Sequence, residues 1–150
     1  MITSEFLLPY VASNIIGLAL IVAAIAWPRV ARGGYVILFA GAAAVNAYLG
    51  ITRPDLYITS FGTLALLPVY RDFINGPFAA HATAILLGIA ICQLLIAILL
   101  TQSGRAFLAA VIGGVIFFVA IAPLGMGSAL PATLLYGVGL VVLKKRLASG

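Results

Sequence analysis

Five side chains that can carry charge or exchange protons lie in one short stretch of an otherwise apolar chain. They are Arg53, Asp55, Arg71, Asp72 and His81, and the last is the only histidine. Ionisable groups beside apolar spans are costly enough to be candidate site residues. One interpretation is that they contact lipid head groups or form weak exposed ion pairs. The other is that Arg53 contacts Asp55 or Asp72 and lines a polar pocket with the histidine.

His81 stands near the start of an apolar run, where an imidazole can change its protonation state close to neutral pH. Its role is either a structural hydrogen bond or a proton or ligand contact. We expect no metal site, because Asp55 and Asp72 would have to complete the ligands without a second histidine, and Cys92 is the only cysteine. We also predict no catalytic residue, since no serine has a base at a spacing that would activate it.

Two side-chain amides inside apolar runs, Asn46 and Gln93, complete the set of candidate pocket residues. Amides within spans most often hydrogen-bond across helices, and contact with a ligand is the alternative. Asn46 and Arg53 are separated by two helical turns and should project from one helix face. The pocket would therefore combine charged groups from the middle stretch with amides from the flanking helices.

Composition determines the surroundings of these residues. The 150 residues are 65% hydrophobic and only 7% charged, and the mean hydropathy is +1.28, which indicates an integral membrane protein. At about 20 residues per span, the chain has room for four or five crossings. The net charge of +5 comes from basic residues scattered singly or near predicted helix ends. This pattern excludes a nucleic-acid surface and favours contact with lipid head groups.

The apolar runs predict an all-α, polytopic membrane helix bundle that forms one integral membrane domain over residues 1–150. Five transmembrane helices are expected at about 7–27, 35–52, 78–101, 106–122 and 132–147. Arg29 to Gly34 should form a short basic loop, and Asn75-Gly76-Pro77 a turn before the third span. From about 56 to 70, polar and apolar residues separate onto two sides, which is typical of an interfacial or re-entrant helix.

The basic residues predict an orientation. If the segment at about 56–70 does not cross, six basic residues fall on one side: Arg29, Arg32, Arg105, Lys144, Lys145 and Arg146. The positive-inside rule then places the N-terminus outside and the C-terminus in the cytoplasm of a bacterial plasma membrane. The charged stretch from Arg53 to His81 would lie at the outer leaflet.

Several segments resemble the DoxX-like family of small bacterial integral membrane proteins over roughly residues 35–147. They are GGYVILFAGAAAVNAYLGITRPDLY, LLPVYRDFI, ILLGIAICQLLIAILL with the following QSGRAF, and PATLLYGVGLVVLKKR. The resemblance implies a four-helix protein, here with one more helix in front, and an unknown or accessory function. Some members of the family are associated with quinone-dependent oxidation or with redox partner proteins. It supplies no catalytic residue. Gln93 stands where the family leads us to expect a carboxylate, a difference that bears on any redox role.

These observations favour a small accessory membrane protein whose outer pocket binds a lipid or a quinone, with no other cofactor. Expected partners are membrane lipids, a second copy of the chain or a redox partner subunit. The alternative is a transporter or channel subunit for a small solute or proton. A third hypothesis is a membrane enzyme acting on a lipid-soluble substrate, although no spacing requires one.

Overall fold

The structure, a computed structural model, describes residues 4–149, with side chains from Leu7 onward. It is 91% helical and contains no strand within these residues. The seven α-helices are α1 (Ser4–Ala26), α2 (Pro28–Thr52), α3 (Asp55–Leu64), α4 (Pro68–Phe73), α5 (Ala79–Leu100), α6 (Gly104–Ile121) and α7 (Ala132–Ala148). A π-helical turn (Ile74–Phe78) joins α4 to α5, and a 3-10 turn (Ala122–Ser128) follows α6.

Four segments are long and apolar enough to cross a membrane: Leu7–Ala26, Pro28–Thr52, Pro68–Leu100 and Gly104–Ser128. Their outward side chains are apolar. Leu8, Ile37 and Val69 are each about two-thirds or more exposed. Exposing so much apolar surface to water is unfavourable, whereas contact with lipid tails carries no such cost. The surface is therefore that of a multi-pass membrane protein.

The five long helices form a closed ring in which α1 contacts α2, α2 contacts α5, α5 contacts α6, α6 contacts α7, and α7 returns to α1. Glycines mark the closest approaches, with Gly50 of α2 beside Leu86 of α5 and Gly17 of α1 beside Leu135 of α7. Small residues allow such contacts between membrane helices. Ring helices that follow one another along the chain run antiparallel. The first and the fifth of them, α1 and α7, therefore run parallel where they meet.

One end of the ring, called here the basic end, contains Arg29, Arg32, Arg105, Lys144, Lys145 and Arg146. The other, called the capped end, is covered by α3, α4 and the two irregular turns, which pack on one another. At the capped end Leu66 N donates to Pro123 O at 2.8 Å. Gly125 has a φ of 67° and packs directly against the carbonyl of Leu64, a position that only glycine fits.

The predicted loop from Arg29 to Gly34 is wrong, because these residues form the first turns of α2. Pro28 begins the helix, where its missing N–H is not needed. Arg32 is held by its surroundings: its Nε donates to Leu100 O at 2.5 Å, its Nη2 donates to Gln102 O, and its guanidinium lies 4.9 Å from the Phe107 ring centre. These contacts hold the first turns of α2 against the end of α5.

The predicted turn at Asn75-Gly76-Pro77 is also wrong, because the helix runs on from Pro68 to Leu100. Pro77 cannot donate a backbone hydrogen bond, and its ring would clash in a regular α-helix. The wider π-helical turn accommodates it. The distortion extends to His81, whose backbone angles (φ −133°, ψ 28°) are not helical.

The segment predicted at about 56–70 is not one helix, because α3 ends at Leu64 and α4 begins at Pro68. Its two predicted sides are separated in space. Thr59 and Thr63 are exposed. Ile58 and Phe61 pack on a small buried cluster formed by Ala65, Ile74, Phe78, Ala82 and Leu86. The amphipathic pattern of α3 thus directs its apolar side toward the ring.

Candidate functional site

A cavity of about 570 Å³ lies inside the ring at the capped end. Its walls come from all seven helices and both irregular turns, and they are mainly apolar. Nine aromatic residues line it, namely Phe39, Tyr57, Phe61, Tyr70, Phe73, Phe78, Phe117, Phe118 and Tyr136. This volume is in the range of small-molecule sites, and such walls suit an apolar or planar molecule.

The aromatic wall is a continuous contact chain. The Phe39 and Phe118 ring centres are 5.2 Å apart, and those of Phe118 and Tyr136 are 5.3 Å apart. Tyr136 is held at its other end, because its hydroxyl donates to Ser13 O at 2.8 Å. The wall is therefore anchored to α1, α2, α6 and α7 at once.

A polar network from α2, α3 and α5 also lines the cavity. Tyr57 of α3 donates its hydroxyl hydrogen to Asn46 Oδ1, and Asn46 Nδ2 donates to Gln93 Oε1 at 2.7 Å. Gln93 is only 3% exposed. In the described part of the chain its Nε2 donates no hydrogen bond, so this N–H group can donate to a molecule in the cavity.

Thr133 provides the second polar contact. It is 2% exposed, lines the cavity, and its Oγ1 has no hydrogen-bond partner among residues 7–149. A helical threonine ordinarily bonds the carbonyl four residues earlier, here that of Ala129. Ala129 is in the left-handed conformation (φ 59°), and its carbonyl accepts from Ala132 N at 2.7 Å. A buried hydroxyl without a partner costs about 1 to 3 kcal/mol, and a ligand acceptor would remove that cost.

Two of the predicted site residues, Asn46 and Gln93, line this cavity. Arg53 does not, and it pairs with Asp55 rather than Asp72. Its Nη2 is 3.2 Å from Asp55 Oδ2, and both side chains are more than half exposed. The hydrogen bond from Arg53 holds the pKa of the Asp55 carboxyl below its ordinary value.

The other charged candidates also lie outside the cavity walls. Arg71 donates from Nε to Ala65 O at 2.8 Å and so caps the end of α3. Asp72 and His81 have exposed side chains, and neither lines the cavity. The charged stretch therefore surrounds the outside of the capped end, while the neutral amides lie inside it.

Tyr57 and Thr133 are the site residues that sequence reasoning missed. A tyrosine in an amphipathic segment and a threonine near a helix start are ordinary residues in both positions. Only packing shows that one reaches Asn46 and that the other lacks a partner. Within the described residues no group of histidine, cysteine and acidic side chains is suited to hold a metal ion.

Comparison of the chain with protein-family models, curated proteins and solved structures finds no match. The resemblance to the DoxX-like family stays a prediction.

Proposed function

We propose that this chain is an accessory membrane protein whose cavity at the capped end binds a neutral lipid-soluble molecule carrying a hydrogen-bond acceptor, either a lipid or a quinone. The observation that carries the proposal is the Thr133 hydroxyl, which is buried in the cavity wall without a partner. Gln93 Nε2 offers a second donor from a helix that does not adjoin α7 in the ring. Carbonyl oxygens of an ester or a quinone would accept from both.

The cavity's chemistry favours a neutral ligand over an ion. None of the described residues that line it is charged, and burying an ion without a counter-charge is far more costly than burying an ester or a quinone. The aromatic wall from Phe39 to Tyr136 would contact the apolar body of the molecule. The two polar side chains would fix its head group.

The topology that fits this proposal has five crossings. The α7 helix has 17 residues, about 25 Å, which spans most of a bilayer core of about 30 Å. In this arrangement α3 lies at the interface over the cavity. The six basic side chains would face the cytoplasm of a bacterial plasma membrane by the positive-inside rule, with the N-terminus outside. The cavity then opens toward the outer leaflet.

Native mass spectrometry of the detergent-extracted protein tests the proposal. The wild type should retain a lipid or a quinone. Thr133→Val keeps the shape of the side chain but removes the hydroxyl, so it should lower retention about fivefold, the worth of one hydrogen bond. It should not destabilise the protein, because the hydroxyl has no partner to lose. Gln93→Leu should lower retention about tenfold or more.

Thr101→Val is the matched control, because Thr101 is exposed at the basic end and already donates to Ile98 O at 2.7 Å. It should leave retention unchanged. Wild-type protein without any bound lipid-soluble molecule, or equal retention by wild type, Thr133→Val and Gln93→Leu, would contradict the proposal.

A further inference from the structure

A second cavity, called here the basic groove, lies at the basic end of the ring. Its volume is about 420 Å³. Trp27, Arg29 and Val30 line it where α1 passes into α2, and Arg146 and Leu147 line it from the last turns of α7. The groove is separate from the aromatic cavity and shares none of its lining residues.

The charge around the groove is unbalanced. Six basic side chains are at this end, whereas the chain's three acidic residues, Glu5, Asp55 and Asp72, belong to elements at the capped end. Among the described residues no acidic side chain pairs with Arg29 or Arg146. An anion from the solvent or the membrane can therefore supply their counter-charge.

The two guanidinium groups of the groove differ in how they are held. Arg146 donates from Nε and Nη2 to Ile25 O, at 3.1 and 2.8 Å, which fixes its position and leaves Nη1 available. Arg29 is exposed and has no hydrogen bond to the described residues. One guanidinium held by a carbonyl and one without a hydrogen bond to the described residues can bind a single phosphate together.

The apolar part of the groove points to a lipid rather than a free ion. Trp27 is 64% exposed and Val30 is 68% exposed, and both adjoin the arginines. Tryptophan is favoured at the level of lipid head groups. A phospholipid would place its phosphate on the guanidinium groups and the first part of its acyl chains on these two side chains.

We infer that the basic groove binds the phosphate of an anionic phospholipid, with Arg29 and Arg146 on the phosphate and Trp27, Val30 and Leu147 on the acyl chains. The inference is independent of the ligand proposed for the aromatic cavity. It depends only on charge placement and side-chain contacts at the basic end.

The test compares binding of phosphatidylglycerol, phosphatidylcholine and inorganic phosphate to the detergent-purified full chain by native mass spectrometry. The wild type should retain phosphatidylglycerol in preference to phosphatidylcholine. Arg29→Gln should lower phosphatidylglycerol retention about fivefold without unfolding the protein, because this side chain makes no hydrogen bond to the described residues. Arg105→Gln, at the same end but outside the groove, is the matched control and should change retention little.

Equal losses in Arg29→Gln and Arg105→Gln would show diffuse surface attraction and overturn the site. Equal retention of the two lipids by the wild type would overturn its preference for an anionic lipid. Displacement of phosphatidylglycerol by inorganic phosphate at comparable concentration would assign the groove to a free ion instead.

Discussion

At the basic end of the ring, polar side chains donate hydrogen bonds to the carbonyls at helix ends. At the capped end, polar side chains line a cavity and keep donors that bond no described residue. Arg32 and Arg146 donate to the last carbonyls of α5 and α1, groups that helix geometry leaves without partners. Gln93 and Thr133 instead line a cavity, each with a polar atom that bonds no described residue.

The difference separates two uses of a polar residue in an apolar bundle. A guanidinium that caps a carbonyl stabilises the fold, and its removal should reduce stability. A buried hydroxyl without a partner destabilises the free protein, so its removal should leave the stability unchanged or raise it while weakening what binds there. The following variants test what holds each end of the ring, in order of expected effect.

Gly125→Ala should have the largest effect. A Cβ at this position would lie 2.6 Å from the backbone oxygen of Leu64. The alanine would also have to adopt a φ of 67°, which residues with a side chain rarely do. We expect a loss of about 2 to 3 kcal/mol, concentrated at the capped end, with faster hydrogen exchange in α3. Gly88→Ala is the control, because an added Cβ there meets nothing within 4 Å. Unchanged exchange in α3 would contradict the role given to this turn.

Arg32→Met keeps the apolar stem but removes both hydrogen bonds to the end of α5 and its turn. We expect the free energy of unfolding to fall by about 2 kcal/mol, measured by chemical denaturation in detergent. Retention of the lipid-soluble ligand should not change. Arg105→Met should be neutral, and equal destabilisation by the two variants would show that charge, and not capping, is what matters at this end.

Tyr57→Phe removes the hydrogen bond from α3 to Asn46. The expected cost is about 1 kcal/mol, with faster hydrogen exchange in α3 and little change in the rest of the ring. Tyr48→Phe serves as the control, since Tyr48 is 66% exposed. If the two variants had the same effect on α3, the network would not be what holds it over the cavity.

Arg53→Gln should have the smallest effect, because the Arg53–Asp55 pair is exposed. The pKa of Asp55 in the folded protein lies below its ordinary value of 3.8. The stabilisation is therefore complete above that value and is lost as the pH falls through the lower folded-state pKa. Melting temperatures of wild type and variant should differ by no more than about 1 °C at pH 7 and should converge as the pH falls below the folded-state pKa. A large difference at neutral pH would make the pair structural.

The long helices were predictable because their apolar runs leave no other environment than lipid. Two helix starts were not. Arg29 to Gly34 has the composition of a loop, and only the position of Leu100 O explains why Arg32 belongs to a helix. A proline usually marks a helix start, so Pro77 suggested one. The π-helical turn instead lets the helix continue past Pro77.

The candidate site was predictable where a polar residue interrupts an apolar run, as at Asn46 and Gln93. Arg53 and His81 were predicted as site residues because they can carry charge, but neither lines the cavity. Charged side chains at helix ends can be solvated by water or lipid head groups and need no cavity. Thr133 carries no signal of its own, because whether its hydroxyl finds a partner depends on the conformation of Ala129.

The parallel contact between α1 and α7 has a consequence for biosynthesis. Because α1 leaves the ribosome before α7, the face of α1 that packs on α7 stays uncovered until α7 has been synthesised. Until then the surface of α1 around Gly17 and the carbonyl of Ile25 is exposed to lipid or to insertion factors. Leu135 and Arg146 later cover it. The ring therefore closes only once α7 is in place, and a chain truncated before α7 would leave it open between α6 and α1.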